Sequence, residues 1–169
     1  MRTILISLGV TVSRPKSQAH AAHERAAHEH AETAMIADLR GRGLRMTPQR
    51  LAIVRLFAAD PSHPTAQELF DRLRAAFPTM SFATVYNTLD ALAKAGLSKT
   101  LRLGNAARFD PNVEPHHHAI CDRCGAIIDV PSHDLAPDKT DTRAIDRSAP
   151  GFAVATVERV YRGTCASCT

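Results

Sequence analysis

The stretch SFATVYNTLDALAKAG, residues 81–96, decides the fold of the N-terminal half of this chain. Ser81 is a residue type that caps helix N-termini, and Gly96 stands where a left-handed C-cap is needed. The apolar residues between them recur at helical spacing: Val85, Leu89 and Leu92. The stretch therefore predicts a helix over residues 81–95 that buries one face.

Two shorter helices are predicted upstream of this one. Thr47 and Pro48 form an N-cap and first-turn pair, and Thr65 with Glu68 forms a capping box. Apolar residues follow each start at helical spacing, namely Ile53, Val54, Phe57 and Ala58 after the first, and Leu69, Leu73 and Phe77 before Pro78 after the second. From residue 35 on, three or four short helices with tight turns are therefore expected within about sixty residues.

Downstream of Gly96 the sequence changes to short alternating runs with β-branched residues. These predict strands over residues 98–103, 106–110, 117–120, 125–130 and 152–162. The first two flank a Gly104-Asn105 turn, so they predict a β-hairpin, which is the wing of a winged helix. The polar stretch that precedes the last strand predicts a short amphipathic helix over residues 134–148. The expected fold class is α+β.

Residues 1–34 are rich in Ala and His and show little patterning that would bury a face. They are predicted to form a mobile or loosely helical extension. Their four histidines are interpreted as part of a solvated tail rather than as a metal site, because such tracts specify geometry poorly. An alternative is that the compact protein begins at Met35.

Composition and charge restrict the class of protein and its partners. The sequence has no run of about 18 apolar residues, so no membrane span is predicted, and its first residues lack a convincing cleavage site for export. A cytoplasmic protein is therefore expected. Residues 35–100 carry nine Arg or Lys against five Asp or Glu, whereas residues 101–169 carry eight against nine. The basic half is the candidate for contacting a polyanion such as DNA.

All four cysteines lie in two C-x-x-C pairs, Cys121 with Cys124 and Cys165 with Cys168. Two intervening residues let a tight turn aim both thiolates at one metal, and two pairs complete the tetrahedral sulfur set of zinc. Gly125 permits the backbone turn after the first pair. A disulfide or a redox C-x-x-C is disfavoured by the expected cytoplasmic location and by the lack of a thioredoxin-like βαβ frame. A structural Zn²⁺ site is therefore predicted.

A second cluster lies between the predicted wing and the first cysteine pair. If residues 116–118 enter a strand, alternation sends His116 and His118 to one side and His117 to the other, where solvent exposure without a role is an open alternative. A nitrogen and oxygen ligand set suits Fe²⁺ or Mn²⁺ and also tolerates Zn²⁺, Co²⁺ and Ni²⁺. The residues that can join these histidines from other segments are Asp110, Asp129 and His63.

From about Leu44 to Cys168 the chain resembles the ferric uptake regulator family of bacterial transcription factors. The resemblance is carried by GLRMTPQR at 43–50, HPTAQELF at 63–70, FATVYNTLDALAKAGL at 82–97, RFD at 108–110, HHHAICDRCG at 116–125 and the terminal C-x-x-C. It implies a winged-helix DNA-binding domain at residues 35–110, a small α/β dimerisation domain at residues 111–169, and a regulatory metal between them. It also implies a non-enzymatic repressor that binds a palindromic operator in double-stranded DNA as a homodimer.

Within that family the chain is similar to the peroxide-sensing repressors. Their regulatory ligands, three His and two Asp, correspond here to His63, Asp110, His116, His118 and Asp129. Asp129 matters most to this assignment, because iron-sensing relatives commonly have a glutamate there. The resemblance implies that iron-catalysed oxidation by hydrogen peroxide targets His63 and His116. Residues 153–159 lack the histidines that many relatives carry, so no additional C-terminal metal site is expected.

The second helix of a helix-turn-helix normally enters the major groove. Here this is the helix over residues 81–95, and the predicted DNA-binding residues are Ser81, Thr84, Tyr86 and Asn87, with Arg45 and Arg50 as phosphate clamps. The alternative for Tyr86 is a half-buried packing role, and for the two arginines it is surface solvation.

Two other functions remain open at the level of the sequence. The first is an uptake regulator that responds to iron, manganese or zinc. The second is a non-haem iron enzyme, because two histidines and a carboxylate with open positions also describe such sites. An enzyme of that kind usually places its pocket inside a β-barrel, whereas this chain spends its first ordered residues on small helices.

Overall fold

The computed structural model describes residues 18–102, 106–132, 145 and 147–169. Within these ranges, four helices precede five strands. The helices are α1 (Gln18–Gly41), α2 (Pro48–Ala58), α3 (Ala66–Leu73) and α4 (Phe82–Lys94). The strands are β1 (Lys99–Leu101), β2 (Arg108–Asp110), β3 (His116–Cys121), β4 (Ile127–Pro131) and β5 (Val160–Gly163).

The helix starts agree with the predicted caps. The Thr47 hydroxyl accepts the backbone N–H of Arg50 at 3.3 Å, so α2 begins at Pro48. Thr65 and Glu68 make both hydrogen bonds of a capping box at the start of α3. Because each such cap contributes about 1 kcal/mol, the local sequence fixes where these helices begin.

The helix ends are also set locally, with one difference from the prediction. Gly96 has a φ of 75°, the left-handed conformation that a C-cap requires. The α3 helix ends at Leu73, a turn earlier than the apolar spacing to Phe77 predicted. The reason is a tight turn after Leu73, whose carbonyl accepts from the backbone N–H of Ala76 at 3.1 Å.

One hydrophobic core holds the helices together. Helix α1 packs against α2 and α4, and α3 packs against both α2 and α4. Each large apolar side chain that is fully buried contributes about 1.5–3 kcal/mol of hydrophobic free energy. The core residues from these helices include Leu39, Ile53, Phe57, Leu69, Val85, Leu89 and Leu92, all fully buried.

Two small sheets follow the helices. Strands β1 and β2 pair antiparallel, with Thr100 opposite Phe109, and the turn predicted at residues 104 and 105 lies outside the described residues. Buried Phe109 joins this hairpin to the helical core. Helices α2 to α4 followed by the hairpin therefore form a winged-helix arrangement. The second sheet has the order β4-β3-β5, with β3 antiparallel to β4 and parallel to β5.

The strand predicted over residues 152–162 was wrong in its extent. Only Val160–Gly163 forms a strand, and Phe152 is 62% exposed. The register of β5 with β3 begins at Val160, after a backbone hydrogen bond from the His118 N–H to the Arg159 carbonyl at 3.0 Å. Apolar alternation alone therefore did not show where strand pairing stops.

Two further predictions concern the N-terminal extension and the helix predicted over residues 134–148. Helix α1 runs continuously from Gln18 to Gly41, so the predicted boundary after residue 34 falls inside it. Residues 1–17 and most of the helix predicted over residues 134–148 lie outside the described residues. In the part of the chain that is described, no helix has the length and apolarity needed to cross a membrane.

Candidate metal centres

The cysteine cluster consists of Cys121, Cys124, Cys165 and Cys168. Parallel pairing of β3 with β5 places Cys121 opposite Gly163, so the two C-x-x-C turns emerge side by side from the same end of the sheet. All four cysteines are free thiols, and their sulfur atoms lie within 4.8 Å of one another. The pairing of β3 with β5 thus brings together two cysteine pairs that lie far apart in the sequence.

The geometry of this cluster fits a tetrahedral zinc ion. Zinc–sulfur bonds of about 2.3 Å in a tetrahedron imply sulfur–sulfur separations of about 3.8 Å. The Sγ atoms of Cys124 and Cys165 are 3.8 Å apart. The predicted turn is present as well, since Gly125 has a φ of 71° and donates its N–H to the Cys121 carbonyl at 2.8 Å.

Backbone amides favour a thiolate at one corner of the cysteine cluster. Hydrogen bonds from the backbone N–H groups of Cys165 and Cys124 lower the pKa of Cys121 to about 6. Hydrogen bonds with the neighbouring cysteine side chains raise the pKa of Cys168 to about 12. The chain by itself stabilises one thiolate and opposes another, as expected of a site that needs a cation to hold all four sulfurs deprotonated.

The histidine cluster consists of His63, His116 and His118 with Asp110 and Asp129. Its members come from the loop before α3, the end of β2, strand β3 and strand β4. One ligand atom from each of His63, His116, His118 and Asp129 lies within 4.8 Å of the others. Asp110 adjoins this group, with carboxylate oxygens 3.0 to 3.8 Å from the Nε2 atoms of the three histidines.

The Nε2 atoms of the three histidines converge on one another and on the aspartates. Those of His116 and His118 are 3.0 Å apart, and that of His63 is 2.7 Å from Asp129 Oδ1. His116 Nδ1 lies 2.7 Å from the Glu114 carbonyl, which accepts a hydrogen bond when the ring proton is on Nδ1. That tautomer leaves the Nε2 lone pair of His116 facing the cluster, the arrangement typical of a metal ligand.

Burial strengthens the case for a cation. His63, Asp110 and His118 are at most 1% exposed. Four of their buried atoms make no hydrogen bond of acceptable geometry within the described structure: His63 Nδ1, His63 Nε2, Asp110 Oδ2 and His118 Nδ1. Buried polar atoms are nearly always satisfied in native proteins, and the two of these atoms that face the cluster, His63 Nε2 and Asp110 Oδ2, can be satisfied by a bound divalent ion.

The electrostatic environment of the histidine cluster favours the binding of a cation. Burial alone would raise the pKa of Asp129, but the close ring of His63, a hydrogen bond from Asn112 and the charge of His116 lower it to about 2. Burial, and next the neighbouring His116 and His63, lower the pKa of His118. A carboxylate that stays ionised and an imidazole that stays neutral are the protonation states that metal coordination requires.

The backbone at His63 was not anticipated from the sequence. Its φ is 54°, in the left-handed region, and it is the only described residue other than glycine with a positive φ. Such a conformation costs on the order of 1–3 kcal/mol and persists where surrounding contacts impose it. Nothing in the dipeptide His63-Pro64 predicts this φ, because a residue before proline is usually extended.

Two further residues lie near the histidine cluster, His117 within β3 and Glu158 just before β5. His117 faces away from the cluster, as alternation predicted, but it is buried and its Nδ1 accepts the backbone N–H of Arg159 at 3.3 Å. The solvent-exposed alternative for His117 was therefore wrong. Glu158 was missed in the sequence, although its Oε1 lies 2.9 Å from His118 Nδ1. Glu158 and His118 are too far apart in the sequence for a local spacing pattern to predict this contact.

The predicted DNA-contacting residues lie at two places on the helical half, one at the start of α4 and the other around the start of α2. Ser81 caps α4 and accepts the Thr84 N–H at 3.1 Å, while Asn87 is exposed one turn later. Arg45 is exposed, and Arg50 donates to its carbonyl at 2.7 Å. Ser81, Thr84 and Asn87 therefore lie along the N-terminal half of α4, whereas Arg45 and Arg50 lie around the start of α2.

Tyr86 is half-exposed and also packs against the hairpin, so the packing role is present while DNA contact stays a prediction. It is 45% exposed, yet its ring packs edge-on against Phe109 at a centroid distance of 6.4 Å. Phe82, which the sequence reasoning did not single out, is 44% exposed on the same helix and lies beside Tyr86. An exposed aromatic pair at the start of α4 is a surface that contact with another molecule can bury.

Comparison with known proteins gives a consistent result. The model of the ferric uptake regulator family matches residues 41–158. The peroxide-responsive repressor PerR of Staphylococcus epidermidis is 37% identical over 134 residues, which cover 79% of this chain and 87% of that protein.

Solved structures agree at the level of the fold. The ferric uptake regulator Fur of Helicobacter pylori superimposes with a TM-score of 0.63 at 21% identity, covering 83% of this chain and 93% of that one. The iron-bound ferric uptake regulator of Francisella tularensis gives a TM-score of 0.62 at 26% identity, covering 75% and 95%. The α+β fold described above is therefore shared with these regulators.

Proposed function

Because the chain belongs to the ferric uptake regulator family, whose members are metal-responsive regulators, we propose that it is a DNA-binding transcriptional repressor that senses hydrogen peroxide. The observation that carries this proposal is the convergence of three buried histidines, His63, His116 and His118, with the buried Asp110 and the partly exposed Asp129. Proteins of this family regulate transcription rather than catalyse metabolic reactions, so we do not propose an enzyme.

The two clusters are proposed to hold different ions. The cysteine cluster takes a structural Zn²⁺, because four thiolates are the ligand set that zinc prefers. The histidine cluster takes Fe²⁺ or Mn²⁺ through His63, Asp110, His116, His118 and Asp129, because nitrogen and oxygen ligands suit these ions. The free thiols of the cysteine cluster agree with a cytoplasmic location, where cysteines stay reduced.

The repressor mechanism follows from where the ligands lie along the chain. His63 belongs to the loop before α3, in the half that carries α4, whereas His116, His118 and Asp129 belong to the β4-β3-β5 sheet. A cation shared by both halves favours one relative orientation. Without it that orientation is less populated, so the affinity for an operator falls in proportion.

Peroxide sensing uses two of the same residues. Bound iron supplies the reactivity toward hydrogen peroxide, and the chain supplies the targets by holding imidazole rings against the reacting centre. We propose His63 and His116 as the residues that gain oxygen. A ring altered in this way is a poorer ligand, so the orientation required for DNA binding is lost.

DNA contact is proposed for α4 and its surroundings. Its N-terminal end, near Ser81, presents free N–H groups and hydroxyls suited to phosphate, and the exposed Tyr86 and Asn87 can face base edges. Thr84, Arg45 and Arg50 complete the proposed contact set.

A homodimer on a palindromic operator is proposed because the sheet exposes apolar side chains on and beside β5. Val160 and Tyr161 are 41% and 40% exposed, and Phe152 and Val157 precede them. An apolar surface of this kind is typical of a subunit interface.

The direct test is operator binding by the protein loaded with Fe²⁺, Mn²⁺ or Zn²⁺, each measured before and after hydrogen peroxide. The Fe²⁺ form is expected to lose DNA after peroxide and to gain one oxygen on a peptide that contains His63 or His116. The Mn²⁺ form is expected to keep binding, because Mn²⁺ reacts poorly with peroxide. Metal-dependent binding without oxygen on either histidine would instead indicate an uptake regulator that responds to iron, manganese or zinc.

A further inference from the structure

The left-handed conformation of His63 needs contacts that hold it, and one side chain provides the most direct of them. Arg108 Nη1 donates to the His63 carbonyl oxygen at 3.0 Å. Two backbone contacts flank this bond, since the Phe109 N–H donates to the Pro64 carbonyl at 2.9 Å and Thr65 forms an isolated bridge with Arg108. The loop before α3 is therefore fastened to strand β2.

The position of Arg108 within β2 gives it a second relation to the site. Residues 108 and 110 are two apart in a strand, so their side chains leave the same face, while buried Phe109 points into the core. On that face, Asp110 Oδ1 lies 3.8 Å from the His63 Nε2 atom. Arg108 thus holds the backbone of the residue whose ring meets Asp110.

The same guanidinium also reaches helix α3. Arg108 Nη1 lies 3.4 Å from Glu68 Oε2, and that oxygen accepts the Thr65 N–H of the capping box at 2.7 Å. One carboxylate therefore both caps α3 and pairs with Arg108. The guanidinium connects the strand that carries Asp110, the loop that carries His63 and the first turn of α3.

From these contacts we propose that Arg108 is a positioning residue for the regulatory metal. It holds the strained His63 backbone so that the ring faces the other members of the histidine cluster. It does not contact the metal itself, and it acts by keeping one ligand in register with the rest. This inference rests on the proposed function, because it requires a divalent ion in the histidine cluster.

The test compares full-length, zinc-loaded protein with the variants Arg108→Met, Arg108→Lys and Arg55→Met. Arg55→Met is the matched control, because Arg55 also pairs with a glutamate, Glu32 at 2.9 Å, but in α1 and α2, which carry no member of the histidine cluster. Each protein is titrated with Mn²⁺ for affinity and with Co²⁺ for its visible absorption spectrum, which reports the ligands that surround the ion.

We expect Arg108→Met to bind Mn²⁺ about 10- to 100-fold more weakly, as is common when an outer partner of a ligand is removed, and to shift the Co²⁺ spectrum. Arg108→Lys is expected to lie in between, because an ammonium can still donate to these acceptors but lacks the fixed planar geometry of the guanidinium. Arg55→Met is expected to bind like the wild type. A variant that is merely less stable would leave the spectrum of its folded fraction unchanged.

Wild-type Mn²⁺ affinity in Arg108→Met, or an unshifted Co²⁺ spectrum, would overturn the positioning role and leave the regulatory site in place. If Arg108→Met does not fold, Arg108→Lys decides by the same two measurements. A wild-type protein that binds no ion beyond zinc would overturn the proposed function and this inference together.

Discussion

The cysteine cluster and the histidine cluster lie on the same strand but are assembled in different ways. Cys121 ends β3, and its partners are two local turns brought side by side by a neighbouring strand. His116 and His118 start β3, and their partners come from β4, from β2 and from a loop of the helical half. The first cluster belongs to one sheet, whereas the second spans both halves of the chain.

The difference indicates what each cluster can do. Ligands within one sheet stabilise that sheet, so loss of their ion is expected to unfold it. Ligands shared between two halves fix an orientation, so loss of their ion is expected to change shape while both halves stay folded. The following substitutions test this contrast, from the largest expected effect to the smallest.

Cys165→Ser is expected to have the largest effect. Removing one thiolate weakens zinc binding, which contributes on the order of 10 kcal/mol in small zinc-dependent units, so the melting temperature should fall sharply. Zinc content by mass spectrometry and a thermal melt check this. The control is Ser167→Ala in the same turn, and full stability in a zinc-free Cys165→Ser protein would show that the cluster is not structural.

His116→Ala should strongly weaken regulatory metal binding without unfolding the chain. Losing a direct ligand is expected to weaken Mn²⁺ binding by roughly 100-fold or more, since even outer partners are worth 10- to 100-fold. The matched control is His117→Ala in the same strand, whose side chain faces away and should affect stability rather than affinity. Equal Mn²⁺ affinities in the two variants would contradict the histidine cluster, and a titration of each protein decides.

Asp60→Asn tests the support of the loop that carries His63. Burial would raise the pKa of Asp60, but hydrogen bonds from Ser62 and the Arg72 guanidinium lower it below 3.8. A lowered pKa means that the ionised carboxylate stabilises the fold above about pH 4 and that this contribution is lost as the pH falls through the folded-state pKa.

The expected cost of Asp60→Asn is about 2 kcal/mol at neutral pH, shrinking toward zero in acid. Urea unfolding at several pH values measures it, and zinc content should not change. Asp71→Asn removes an exposed partner of Arg74, 3.6 Å away, and is the control expected to cost well under 1 kcal/mol. A cost for Asp60→Asn that does not depend on pH would contradict the role of its charge.

Gly125→Ala is the smallest test and concerns only the cysteine cluster. Gly125 has a φ of 71°, and a Cβ added there would meet no atom within 4 Å, so the penalty is backbone strain of about 1 kcal/mol. That corresponds to a roughly fivefold loss of zinc affinity, measured by chelator competition. Gly163→Ala, at a position without a positive φ, is the control. Mn²⁺ affinity should be unaffected in both variants.

Some elements of the fold could be predicted from the sequence, and others could not. Helix starts at Pro48 and Ala66 were predictable because their caps act within four residues. The length of the last strand was not, because pairing depends on β3, about forty residues upstream. The burial of His117 was also undecided, since alternation gives the face of a side chain but not what covers that face.

The sequence alone determined which residue types are present at which spacing: the two C-x-x-C pairs, the capped helices, and His116 and His118 on one face of a strand. Only the tertiary structure decided that His63 turns left-handed to meet them, that Arg108 holds it there, and that Glu158 adjoins His118. The physical reason is the distance along the sequence over which each interaction acts. Caps, turns and alternation act over a few residues, whereas a buried cluster depends on packing that joins segments far apart in the chain.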